Sequence, residues 1–225
     1  MPARDDFLTA LKSGDLPGLQ ALLRDDPALL TVRSDSGLSP VLLAIYRGHP
    51  EAAQVLIERG AVLDVYEASA AGQLPRVAEL LTADPAAVNT HAPDGFTALG
   101  LAAFFGHPAL VDWLLAHGAE PNIGSNNAMR VRPLHSAAAN RDPATAHAMS
   151  AALLSAGAEV DPVQEGGFTP LHAAALSGKI DLVRLLLAHG ADPSLPTADG
   201  VLPAALAAIH GHQAVLDLLR SNPSP

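Results

Sequence analysis

The sequence predicts an all-α solenoid of about seven helix-turn-helix units, on three observations. A glycine placed to end the first helix of a unit recurs at Gly14, Gly48, Gly72, Gly106, Gly178 and Gly211, with one displaced unit between Gly106 and Gly178. Pairs of large aliphatic residues keep the same beat at Leu22-Leu23, Leu56-Ile57, Leu80-Leu81, Leu114-Leu115, Leu153-Leu154, Leu186-Leu187 and Leu218-Leu219. The block GGFTPLHAAALSGKIDLVRLLLAHGADPS at 166–194 has partial counterparts along almost the whole chain. A period in the low thirties with two short helices per unit marks a solenoid, whose units bury a core only against their neighbours. The expected organisation is one domain over 1–225, with units near 5–36, 37–63, 64–94, 95–128, 129–165, 166–199 and 200–222.

The block at 166–194 shows why each piece forms. Thr169 is placed to cap the first helix through its hydroxyl, and Pro170 suits the first helical position because its missing N–H would be unpaired there. Ala173, Ala174 and Ala175 let helices approach closely, while Leu185, Leu186 and Leu187 supply buried area between layers. Gly178 and Gly190 follow the two helices, where a left-handed residue closes a helix.

At these residues the chain resembles the ankyrin repeat family. Versions of its helix-opening motif stand at Ser39-Pro40-Val41-Leu42, Thr97-Ala98-Leu99-Gly100, Arg132-Pro133-Leu134-His135, Thr169-Pro170-Leu171-His172 and Leu202-Pro203-Ala204-Ala205. The likeness extends through Gly48-His49, Gly106-His107 and Gly211-His212, and through Gly60-Ala61, Gly118-Ala119, Gly157-Ala158 and Gly190-Ala191. The stretch 94–107, DGFTALGLAAFFGH, is similar to a bacterial subgroup of ankyrin proteins. The resemblance implies an ankyrin-repeat solenoid with short β-hairpin fingers, and protein binding without a named partner.

Units one and two recur as units three and four at an offset of 58 residues, which matches Asp6 to Asp64, Gly14 to Gly72, Gly37 to Gly95 and Gly48-His49-Pro50 to Gly106-His107-Pro108. Unit three runs from Gly60-Ala61 almost directly into helix, with Asp64 and Glu67 spaced as a capping box. Its hairpin finger is therefore expected to be missing. Unit five is enlarged twice, in its finger at 122–132 and before its second helix, where Asp142-Pro143 reads as a fresh start. Arg130, Arg132 and Arg141 gather there after a run, 77–129, without Lys or Arg, which predicts a positive spot on an acidic chain.

Aromatics are scarce, yet Phe96, Phe104 and Phe105 fall in one unit. In the architecture that the resemblance implies, the residue after the turn glycine and the two before the helix-ending glycine face a concave groove. The corresponding positions are Leu38, Tyr46 and Arg47, then Val131, then Phe168, Leu176 and Ser177, then Val201, Ile209 and His210. Such an apolar strip marks an interaction site; the competing role is packing between fingers. Trp113, beside Leu114, reads as core.

Composition removes several classes of function. A formal charge of -10, from 23 acidic and 13 basic residues, opposes nucleic acid and anionic membranes as partners. The absence of cysteine excludes disulfides, thiolate catalysis and cysteine metal sites. Seven of the ten histidines sit at repeat positions, and His210 with His212 lacks a third ligand, so no metal and no cofactor are expected. No phosphate-binding loop, dinucleotide fingerprint, His-Glu-x-x-His or Gly-x-Ser-x-Gly is present. MPARDDFLTA lacks the apolar run of a signal peptide, and a cytoplasmic location is expected.

The functional expectation is a non-enzymatic, monomeric module that binds another protein. Phe96, Phe104, Phe105, Phe168 and Leu176 are its apolar contacts, and Arg130, Arg132 and Arg141 steer an acidic patch on the partner. The alternatives are a small-molecule or enzymatic role in the groove around the enlarged fifth unit, and a self-associating structural protein.

Overall fold

The computed structural model describes residues 2–222 apart from Ser36; Met1, Ser36 and 223–225 fall within the expected domain, Ser36 within its first unit, and lie outside the described residues. The described residues form fourteen helices: α1 (Pro2–Ser13), α2 (Leu16–Asp25), α3 (Pro40–Tyr46), α4 (Pro50–Glu58), α5 (Val65–Ala70), α6 (Leu74–Ala83), α7 (Ala98–Phe105), α8 (Pro108–Ala116), α9 (Pro133–Ala139), α10 (Pro143–Ser155), α11 (Pro170–Leu176), α12 (Ile180–Ala188), α13 (Pro203–Ile209) and α14 (Gln213–Ser221). They follow as seven helix pairs, as the periodicity predicts, and no strand longer than an isolated bridge is formed among the described residues. The chain divides into two compact units, Met1–Leu80 and Leu81–Pro225.

In the first unit α1 packs on α3, α2 on α4, and α3 on α5. Phe7, Leu11, Leu19 and Leu56 are fully buried between them. Ser39 caps α3 by accepting from the Leu42 N–H at 3.2 Å. A tight turn closes where Gly37 N–H reaches the Ser34 carbonyl and Ser34 N–H reaches that of Leu38. Between α4 and α5 no such turn forms. Ala61 N–H closes α4 on the Leu56 carbonyl, and α5 starts at Val65 with Asp64 accepting from the N–H groups of Tyr66 and Glu67. The Glu67 carboxylate returns the bond to Asp64 N–H at 3.1 Å, completing the predicted capping box. Beside this finger-free connection lies a cavity of about 380 Å3 lined by Arg33, Ser39, Val62 and Glu67, among others.

In the second unit the first helices pack in series, α7 on α9, α9 on α11 and α11 on α13, while α10 packs on α8 and α12, and α12 on α14. Ala102, Ala137, Ala138, Ala174, Ala175 and Ala207 are fully buried on that series. Their small side chains let the helix backbones come close, and Leu114, Leu153 and Leu186 fill the space beneath. Fingers close where Ala92 N–H meets the Phe96 carbonyl, Gln164 meets Phe168, and Thr197 meets Val201. The fifth finger closes Ser125 on Val131 at 2.8 Å, enclosing two more residues than its neighbours. Its helix α10 begins at the predicted fresh start, with Asp142 accepting from Thr145 N–H at 2.7 Å.

Two expectations are corrected. Thr169 does not cap α11 by accepting a backbone N–H: its hydroxyl and its own N–H both approach Nδ1 of His172, at 2.8 and 3.2 Å. Trp113 is half-buried rather than core, and stacks on His117 with ring centroids 3.7 Å apart. Leu114 takes the core position instead, because consecutive helical residues point about 100° apart and the inward direction belongs to Leu114.

Candidate functional site

The aromatic trio is produced by one finger and the end of one helix. Thr97 starts α7 by accepting from Gly100 N–H at 3.1 Å, and Gly106, at φ 80, ends it. Residues 98–103 are buried, so the last turn alone reaches past its neighbours. There Phe104 and Phe105 pack edge to face, centroids 5.0 Å apart at 87°. The fourth finger delivers Phe96, whose ring lies 6.4 Å from that of Phe104. Phe96 and Phe105 are half-buried and support the trio, whereas Phe104 is 48% exposed. Such aromatic pairs add about 0.5–1.5 kcal/mol beyond their buried area, which holds an exposed ring in one orientation.

The remaining predicted contacts stand elsewhere in the same unit. Leu176 and Ile209 end α11 and α13 as Phe104 nearly ends α7, and Ile209 is 73% exposed while Leu176 is half-buried. Phe168 is half-buried, with its ring 5.4 Å from that of His172, so it packs on its own helix start. Tyr46, the corresponding residue of the first unit, is 36% exposed.

The three arginines do not form one free positive spot. Arg132 lies 2.6 Å from Glu159, which neutralises its charge locally. Arg130 and Arg141 are exposed and, among the described residues, enter no ion pair. Arg130 has φ 50, the one positive φ found at a non-glycine among the described residues. That strain is fixed by a network around the enlarged finger. Asn127 Oδ1 accepts from Met129 N–H at 3.1 Å, Asn126 N–H donates to the Gly95 carbonyl at 3.0 Å, and Glu165 N–H donates to that of Met129 at 3.0 Å. The insertion is thus tied to the fingers on both sides and presents Arg130 from a fixed tip.

Histidines form the framework beneath the site. His135 Nε2 donates to the Phe168 carbonyl at 3.2 Å, and His172 Nε2 to that of Val201 at 3.1 Å, each pinning a helix start to the next finger. In both, Nδ1 accepts from the backbone N–H three residues earlier, which fixes the neutral tautomer. Burial pushes His135 down to about 4, and it also lowers His172. His210 and His212 rings lie 6.3 Å apart, and among the described residues no three side chains are grouped as metal ligands.

One residue escaped the sequence reading. Lys179 is buried and donates from Nζ to the Ala138 carbonyl at 2.7 Å. The available signal was Gly178-Lys179 where other units have Gly-His.

The family described as "Ankyrin repeats (3 copies)" matches residues 65–162 and 134–224. Among curated relatives, E3 ubiquitin-protein ligase XBAT32 of Arabidopsis thaliana is 29% identical over 206 residues, covering 86% of this chain and 38% of that protein. Ankyrin repeat and SOCS box protein 16 of Mus musculus is 32% identical over 224 residues, covering 90% and 43%. The 2-5A-dependent ribonuclease of Homo sapiens is 52% identical over 60 residues, covering 26% and 8%. The chain therefore spans less than half the length of these relatives.

Proposed function

Since the chain belongs to the ankyrin repeat family, whose repeats generally mediate protein–protein interaction, we propose that it is a non-catalytic module that holds one protein partner on the surface around Phe104. The observation that carries this reading is the exposure of Phe104 within a braced aromatic trio. Solvent disfavours an exposed phenyl ring, and the flanking rings remove the freedom it would otherwise lose on binding. Ile209 and Leu176 extend the apolar contact, with Phe96, Phe105 and Phe168 beneath it. Arg130 and Arg141 attract an acidic patch on the partner, mainly raising its association rate; Arg132, tied to Glu159, adds little.

The module acts as a monomer in the cytoplasm, and the similarity of 94–107 to bacterial ankyrin proteins is part of the same reading, although the relatives named above are eukaryotic. No described helix is long and apolar enough to cross a membrane. The test is affinity capture from source-cell extract with the full chain and its Phe104→Ala variant side by side. The expected result is a protein retained by the wild type and depleted by the variant. Equal retention by both would remove Phe104 from the binding surface.

A further inference from the structure

Lys179 stands where the chain elsewhere places His49, His107 and His212, directly after a helix-ending glycine. His49 and His212 each aim Nε2 at a carbonyl near the end of the preceding unit's first helix, that of Lys12 at 3.2 Å and that of Leu176 at 3.1 Å. Lys179 reaches back the same way to Ala138, at 2.7 Å. A neutral imidazole offers one N–H to one carbonyl and is satisfied. An ammonium group carries three hydrogens, and among the described residues Nζ meets this carbonyl and no carboxylate.

Lys179 is 6% exposed, so its charged form would be buried without a counter-ion. Losing a proton relieves that cost, and the amine left behind still offers Ala138 one N–H and exposes a lone pair. Burial accordingly lowers the basicity of Lys179 from the usual lysine value. The residue also lines a groove of about 910 Å3, into which α10 contributes His147 and α12 contributes Asp181 and Arg184. Asp181 and Arg184 are exposed, carry opposite charges, and among the described residues neither forms an ion pair with Lys179.

We propose that Lys179 is a nucleophilic amine that captures small aldehydes from this groove as an imine. The Nζ lone pair forms a bond to the aldehyde carbon, the C=O π pair moves to oxygen, and one amine proton follows it to give a carbinolamine. The hydroxyl then departs as water with the second amine proton, leaving a C=N bond. No oxidant or reductant is needed. The imine nitrogen has no hydrogen to donate, so capture also releases the Ala138 carbonyl.

The sequence supplies its own control, because its two lysines are Lys179 and the exposed Lys12. The intact chain is treated briefly at pH 7 with acetaldehyde and cyanoborohydride, which reduces imines as they form, and the ethylation of each lysine is followed by peptide mass spectrometry. Lys179 is expected to react at least tenfold faster than Lys12, with the two rates converging in urea, and its rate should level off at a lower pH than that of an ordinary lysine amine. Ethylation of Lys179 at or below the rate of Lys12 in the folded chain overturns the proposal. So does an unchanged total uptake in Lys179→His, a variant that keeps a donor for Ala138 as His49 and His212 do for theirs.

Discussion

His212 lies over Gly178, its Nε2 3.1 Å from the carbonyl of Leu176. A Cβ on Gly178 would fall 2.5 Å from His212 Nδ1, and the glycine sits at φ +67, which other residues adopt only with strain. Gly14 and His49 repeat the relationship, the added carbon falling 2.6 Å from Nδ1. The recurring Gly and His are thus one device, in which the glycine leaves room for a ring that ties two layers together.

Gly178→Ala is accordingly expected to cost about 2 kcal/mol or more, from the backbone strain and the clash. His212→Ala should cost about 1 kcal/mol through the lost hydrogen bond. Because the second change also relieves the clash of the first, the double variant should lose less than the two costs added together. Denaturant unfolding of the three proteins decides this, and strictly additive losses would show that the two residues do not meet.

His135 makes acid stability measurable. Its folded value near 4 lies below the unfolded 6.5, so the unfolded chain takes up the proton first as pH falls. Stability from this group is complete above about pH 6.5 and declines down to about pH 4, by an amount on the order of 3 kcal/mol. Subtracting the stability curve of His135→Gln from that of the wild type should leave a difference that shrinks across this window. A flat difference would place the imidazole in contact with solvent.

Asp64 should matter more than an exposed aspartate normally does. It starts α5 by accepting two N–H groups, and Glu67, buried and 3.6 Å from Arg33, closes the box. Asp64→Ala is expected to cost about 1 kcal/mol, whereas Asp35→Ala, which removes an exposed ion pair to Arg4, should stay within about 0.5 kcal/mol. Equal effects would argue that the box contributes nothing.

The helix boundaries were legible because their signals are local. The Gly60-Ala61 to Asp64 spacing leaves no residues for a finger, and Asp142-Pro143 starts α10, whatever packs nearby. The choice of inward residue was less legible, since Leu114 and Trp113 are adjacent and a helix buries only one of two neighbours; size favoured Trp113, geometry favoured Leu114. Charge was misread for a long-range reason. Glu159 lies far along the chain from Arg132, and no spacing rule connects them. That at least one of Phe104 and Phe105 is exposed was expected from the groove positions the resemblance implies, but which of them it is, and the bracing by Phe96 and Phe105, depend on ring orientations that only the folded chain defines.

The central claim, that Phe104 anchors a protein partner, is tested most directly by titrating the captured partner against the wild type and Phe104→Ala with the unfolding of both measured alongside. An exposed ring predicts a stability change within about 1 kcal/mol, together with a rise in Kd of about 30-fold, equivalent to about 2 kcal/mol. Phe105→Ala, which removes a half-buried ring, should lose more stability than Phe104→Ala. An unchanged Kd in a fully folded Phe104→Ala protein would contradict the account.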